Sequence, residues 1–248
     1  MCTLIFYNAL AQSGELLIGL NRDEYMERPS TGFAYQENAE KPERWIGGRD
    51  EVSGGSWFSI GPYIIAAVTN DRASGFSMPG KRSRGELVVR MSQLASLDAV
   101  ETTLKTFDAE HFGPFHMVLF GASAAMHISN RGQKFQCAPI GPGLHVLGNF
   151  GLDEKGDPVV STVHQYLKTF SHMDDLKGIE TFKELLGLHG EGLPCVHLGP
   201  FGTVSSAVYA RRRHQEILFT AQGAPCVTPW CDQSSLFDEL RGVPTEAS

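Results

Sequence analysis

Short apolar runs separated by polar, glycine-containing turns fill the first third of the chain. Residues 3–7 and 15–20 flank the polar stretch 11–14 and predict a hairpin. Residues 57–60 and 63–68, split by Gly61-Pro62, predict a second, with Trp57, Phe58 and Tyr63 as core aromatics. Across residues 86–97 the apolar positions Leu87, Val88, Met91, Leu94 and Leu97 take a helical period, and Ser83 with Glu86 three residues on supplies a capping-box start. A second helix is expected over 98–107, then strands over 115–121, 125–129 and 144–147. Asp157-Pro158 offers an N-cap acid and a first-turn proline to a helix whose inner face reads as Val159, Val163, Tyr166, Leu167 and Phe170. Another amphipathic helix over 179–188 precedes strands over 204–210 and 216–220, and the Pro-, Ser- and Asp-rich tail, 222–248, reads as irregular. Strand pairs around mid-chain helices, without strict strand–helix alternation, predict a layered α+β fold in one domain over residues 1–248.

Composition narrows the function classes. With 42% hydrophobic and 20% charged residues the chain reads as globular, and no apolar run approaches the ~18 residues of a membrane-spanning helix. A net charge of −7 argues against a nucleic-acid footprint, and the one basic cluster, Arg211-Arg212-Arg213, reads as a solvated surface feature. Five widely spread cysteines fit a reducing compartment, and the first twenty residues hold no Lys or Arg, unlike a secretory or transit segment. The expectation is a cytoplasmic protein without integral membrane contact.

The chemistry starts at Cys2. Removal of Met1, which a small second residue permits, would leave a thiol and a free α-amine on one residue. A neighbouring ammonium lowers the thiol's proton affinity, and an α-amine titrates at about 8, close enough to neutrality to take and return a proton. That combination suits acyl transfer, as in N-terminal threonine enzymes. The alternative is a small buried hydrophobe at the start of a strand. If the first hairpin is antiparallel, the polar run Asn21-Arg22-Asp23-Glu24 ends beside Cys2. Arg22 would then bias the thiol toward thiolate and Asp23 would anchor the α-ammonium, unless the run is a polar turn with a surface ion pair.

"MCTLIF", "NRDEYMERPS", "GGSWFSI", "AAVTNDR" and "RGELV", in this order, resemble the NRDE family, whose eukaryotic members are called Transport and Golgi organisation protein 2; the similarity is close over residues 1–97. The family is in turn similar to N-terminal-nucleophile hydrolases of the penicillin V acylase and bile salt hydrolase type. That resemblance implies a four-layer αββα sandwich with catalysis at one end of the sheets. It carries catalytic roles to Cys2, Arg22 and Asp23, and to two asparagines, Asn70 of "AAVTN" and Asn149 of "GN", as oxyanion donors. Each asparagine also suits a plain turn. The pattern departs at "FGTVSS", where Val204 stands in place of the family's Arg, removing a cation from near the nucleophile.

Other motifs carry less. Cys195-Val196-His197, Cys226 and Cys231 form neither CxxC nor HExxH, so neither a metal nor a cofactor is expected, and Gly141-Pro142-Gly143 is a turn with no phosphate-loop helix behind it. Three readings remain open. One is a cysteine amidohydrolase acting on a linear amide or acyl bond of a small molecule. The second is a carrier using the same pocket for haem or a fatty-acyl metabolite such as acyl-CoA. The third, a scaffolding role in membrane traffic, rests on the family's name.

Overall fold

The computed structural model describes residues 2–38, 40–41, 43–72, 81–131, 134–168, 175–212 and 215–242 of the 248. In chain order its strands are β1 (Cys2–Ala9), β2 (Glu15–Tyr25), β3 (Ala34–Glu37), β4 (Arg44–Gly47), β5 (Phe58–Ile60), β6 (Ile65–Asn70), β7 (Phe115–Phe120), β8 (Ala125–Ser129), β9 (Gln136–Ile140), β10 (Gly143–Leu147), β11 (His197–Leu198), β12 (Phe201–Arg212), β13 (Gln215–Ala221) and β14 (Cys231–Asp232). The helices are α1 (Leu10–Ser13), α2 (Arg84–Ser92), α3 (Leu97–Leu104), α4 (Pro158–Tyr166), α5 (Asp175–Gly187) and α6 (Leu236–Arg241). They fall into two compact units, one of residues 1–28, 71–73 and 141–233, the other of 29–70, 74–140 and 234–248.

The first unit is one antiparallel sheet in the order β10-β1-β2-β12-β13-β14, with β11 on β12. Alternation along its strands splits the side chains between two faces. Ile5, Leu17, Val146 and Val208 lie on the face covered by Val160 and Val163 of α4 and by Ile179, Phe182, Leu185 and Leu186 of α5. Each such buried side chain contributes about 1.5–3 kcal/mol. Gly19 of β2 lets α5 lie close, since a Cβ there would come within 2.9 Å of Phe182 Cδ1. Asn21 then fastens the end of that helix, its amide donating to the Leu186 and Pro194 carbonyls, both at 3.0 Å.

The second unit is a sheet in the order β3 to β9, every neighbouring pair antiparallel. Its core joins Leu87, Val88 and Met91 of α2 and Val100 and Leu104 of α3 to Val68, Met117, Leu119 and Ile128 of the sheet. The Ser59 and Ser92 hydroxyls, buried and 2.8 Å apart, tie β5 to α2.

Several expectations change in detail. The first hairpin's turn is a single helical turn, α1, closed by Gly14 at φ 74°. β2 runs on through Asn21, Arg22 and Asp23, all buried, with Asn21 and Asp23 hydrogen-bonded to Ser206 and Thr203 of β12; the polar-turn alternative does not describe them. The helix at Ser83 ends at Ser92, and Glu86 pairs with Arg82 while only the Ser83 side chain caps, accepting from the Gly85 N–H. In α4 the inward positions are Val160, Val163 and Leu167; Tyr166 is exposed and Phe170 lies outside the described residues. Tyr63, in the turn before β6, is exposed too. Beyond Ala221, expected to be irregular, β14 pairs with β13, and α6 buries Phe237 and Leu240.

Candidate active site

β1 and β2 pair with Cys2 opposite Arg22 and Leu4 opposite Leu20. Directly opposed residues share a face with Cβ atoms roughly 5 Å apart. Arg22 is thus on the Cys2 face, the one turned away from α4 and α5. Asp23 belongs by alternation to the other face, with Asn21. It lies one residue past Cys2's partner, alongside the backbone nitrogen of Cys2, which becomes the α-amine once Met1 is removed. On the other flank, the β1–β10 register ends with Leu4 against Leu147, and Asn149 follows two residues later in the bend at the same end of the sheet. The Asn149 carbonyl accepts a hydrogen bond from the Arg72 N–H at 2.7 Å.

Four of the five expected site residues, Cys2, Arg22, Asp23 and Asn149, therefore gather at one end of the first unit's sheet. Asn70 ends β6 in the second unit, paired with Phe115. Val204 has a position of its own: β12 pairs Thr203 with Asp23 and Ser205 with Arg22, so Val204 is the extra residue of a β-bulge. Bulges re-aim side chains at such places.

Sequence reasoning overlooked the residues that hold Asp23. The Thr203 hydroxyl donates to Asp23 Oδ1 at 2.7 Å and accepts from the Val196 N–H at 2.9 Å. Next to it, the Ser206 hydroxyl donates to Asn21 Oδ1 at 2.7 Å. The spacing of Thr203 and Ser206 carries no signal, because it is the β2–β12 register that brings them to Asp23 and Asn21.

Electrostatics follow from burial. Cys2 is only 6% exposed, and burial pushes its thiol above the ordinary value; the amino terminus of the unprocessed chain pulls it down, Asp23 pushes it up, Arg22 pulls it down and Glu24 adds a further push. The sulfur is therefore a thiol at neutral pH and needs a base when it reacts. Burial likewise pushes the Asp23 carboxyl up to about 7, against the Thr203 hydrogen bond and the amino terminus of the unprocessed chain, with Glu24 adding to the rise. A carboxyl so placed is half protonated near neutrality, and an ammonium brought beside it would draw it back to the ionised form.

For a metal, the described residues that meet are His189, His197 and Cys226, with Cys195 against the last two; Cys231 is exposed on β14. All five cysteines are free. No helix among the described residues is long and apolar enough to cross a membrane.

The family model of Transport and Golgi organisation 2 matches residues 1–191, taking in β1, β2, β6 and Asn149. The chain belongs to this family. The match runs well past the stretch in which the family's motifs are dense. No curated protein matches the sequence. Forty-one solved chains resemble it in structure. One is the Caenorhabditis elegans N-acylethanolamine-hydrolyzing acid amidase (NAAA) ortholog, at TM-score 0.56 and 17% identity over 84% of this chain and 92% of that one. The likeness establishes the fold as the mixed α+β fold of an N-terminal-nucleophile hydrolase, as the sequence resemblance implied.

Proposed function

We propose that this Transport and Golgi organisation 2 family member is a cysteine amidohydrolase for a linear amide or acyl bond of a small molecule. The observation that carries the reading is the β1–β2 register, with Cys2 opposite Arg22 and Asp23 beside the Cys2 nitrogen. In this scheme Met1 is removed and the α-amine takes the thiol proton as Sγ attacks the acyl carbon. The same nitrogen returns that proton to the departing amine as the C–N bond breaks, and water hydrolyses the acyl-Cys2 thioester. Burial that raises the thiol suits this sequence, because deprotonation then waits for a base poised near neutrality. Asp23, held by Thr203, anchors the ammonium. Asn149, in the bend that follows β10 at this end of the sheet, donates to the oxyanion; the second donor, Asn70, is assigned on the family pattern alone. The fold neighbour's printed activity, hydrolysis of N-acylethanolamine, makes fatty-acyl amides the first class to try.

Purified protein, shown by intact mass to lack Met1, is expected to cleave members of a fluorogenic acyl-amide panel, and Cys2→Ser to lose at least about a hundredfold in kcat. Retention of Met1, or equal turnover by Cys2→Ser, would end the enzyme reading.

One observation favours a second reading, a carrier for haem or a fatty-acyl metabolite: Val204 occupies the bulge opposite Arg22 and Asp23 where the family pattern has a cation, and the Cys2 thiol on the next strand is buried. A carrier keeps its ligand affinity in Cys2→Ser, and for haem it shifts the Soret band on titration; an enzyme for which neither holds is not a carrier.

A further inference from the structure

Outside this site one cluster is built like a ligand shell. Three separate segments of the first unit supply it. The end of α5 runs into His189, which bridges Cys195 in parallel, and Cys195 N–H donates to the Leu188 carbonyl at 3.0 Å. β11 holds His197 against Gly202 of β12. The turn in which the Val227 and Thr228 N–H groups both bond the Ala224 carbonyl presents Cys226. The Cys195 and Cys226 sulfurs are 3.8 Å apart, and His197 Nε2 is 3.4 Å from the first and 3.2 Å from the second. His189 offers a nitrogen within 4.8 Å of the His197 and Cys226 ligand atoms. Its Nδ1 faces the Gly187 carbonyl at 3.5 Å, which leaves Nε2 for a ligand.

The three separations among the two sulfurs and His197 Nε2 match three corners of a tetrahedron, and exposed His189 is the side chain placed to turn in as the fourth. Metal–sulfur bonds of about 2.3 Å and metal–nitrogen bonds of about 2.0 Å place two sulfurs roughly 3.8 Å apart and a sulfur and a nitrogen roughly 3.5 Å apart. We infer that Cys195, Cys226, His197 and His189 form a four-ligand site for Zn2+. Two sulfurs with two imidazoles select zinc over harder cations, and a full set of four protein ligands makes the site structural. Exposed His189 and His197 give the ion a way in, and buried Cys195 closes the inner side. Bound there, the ion fastens residues 187–197 to the turn at Cys226, and that stretch carries Val196, whose N–H orients Thr203 toward Asp23. Three of the four ligands lie beyond the residues that the family model matches.

The test is metal uptake by the whole reduced chain after chelation. One Zn2+ per chain is expected in competition with a chromophoric chelator, Co2+ should give thiolate charge-transfer and tetrahedral d–d bands, and zinc should raise Tm. Cys226→Ser, at a half-buried position, and His197→Gln, at an exposed one, should each weaken zinc at least tenfold while the metal-free Tm stays put, and Cys231→Ser should change neither. Absence of uptake, a six-coordinate cobalt spectrum, affinity unmoved by both variants, or a Cys195–Cys226 disulfide with no zinc bound on reduction would overturn the inference.

Discussion

Asp23→Asn isolates the most strained ionisation in the site. The wild-type carboxyl is 3% exposed and is pushed from an ordinary 3.8 up to about 7, burial being the main cause. The folded state therefore holds this proton where the unfolded chain has released it. Its contribution to stability is complete below pH 4 and is lost as pH rises toward and through 7. The window is about three pH units wide, and at ~1.4 kcal/mol per unit for one proton the loss is roughly 4 kcal/mol. Asparagine keeps an oxygen to accept from the Thr203 hydroxyl and removes the titration. Urea midpoints of the two proteins at pH 5, 6, 7 and 8, in an amino-terminally tagged form that keeps the α-amine remote, should show the variant gaining relative stability as pH rises from 5, with the gain levelling off once the wild-type carboxyl is ionised. The untagged processed form should diverge less, because its ammonium beside Asp23 favours the carboxylate. Parallel stability curves in the tagged form would refute the burial argument.

Val204→Arg should restore a cation beside Cys2 and speed iodoacetamide alkylation of that thiol at pH 7 by about tenfold, the effect of one pKa unit on the thiolate fraction; an unchanged rate would show that the bulge aims this side chain elsewhere. Asn21→Ala should cost about 2–4 kcal/mol in urea unfolding, since it strips the Leu186 and Pro194 carbonyls and the Ser206 hydroxyl of buried partners. A cost under about 1 kcal/mol would mean that the end of α5 is held by packing alone.

The parts of the fold legible in the sequence are those where burial on one face left a clean apolar period. Val163 and Leu167 line the inner side of α4 as expected, Val159 packs half-buried against the same core, and Val160, which the period did not mark, is the more deeply buried of the two neighbours. β3, β4 and β9 escaped notice: β3 and β4 are four-residue strands, too short for a period to show even where Trp45 and Ile46 are buried, and β9 is exposed over most of its length. The placement of Cys2 opposite Arg22 was readable because one hairpin with a short turn fixes it. The burial of Asn21, Arg22 and Asp23 was not, since a polar triplet looks the same in a turn and in a strand whose neighbours satisfy it. Long-range register explains the remainder. Thr203 reaches Asp23 across 180 residues of chain, and Cys226 meets His197 across 29, neither at a spacing that any local pattern marks.

Acyl transfer to Cys2 can be caught directly. Incubation with acyl amides and acyl thioesters, quenched in acid and followed by intact and peptide mass spectrometry, should yield one acyl adduct, on the amino-terminal cysteine of chains lacking Met1 and absent from Cys2→Ser. An adduct that survives that substitution on Cys137 or Cys231, or processed protein that never acylates at Cys2 across the panel, would contradict the account.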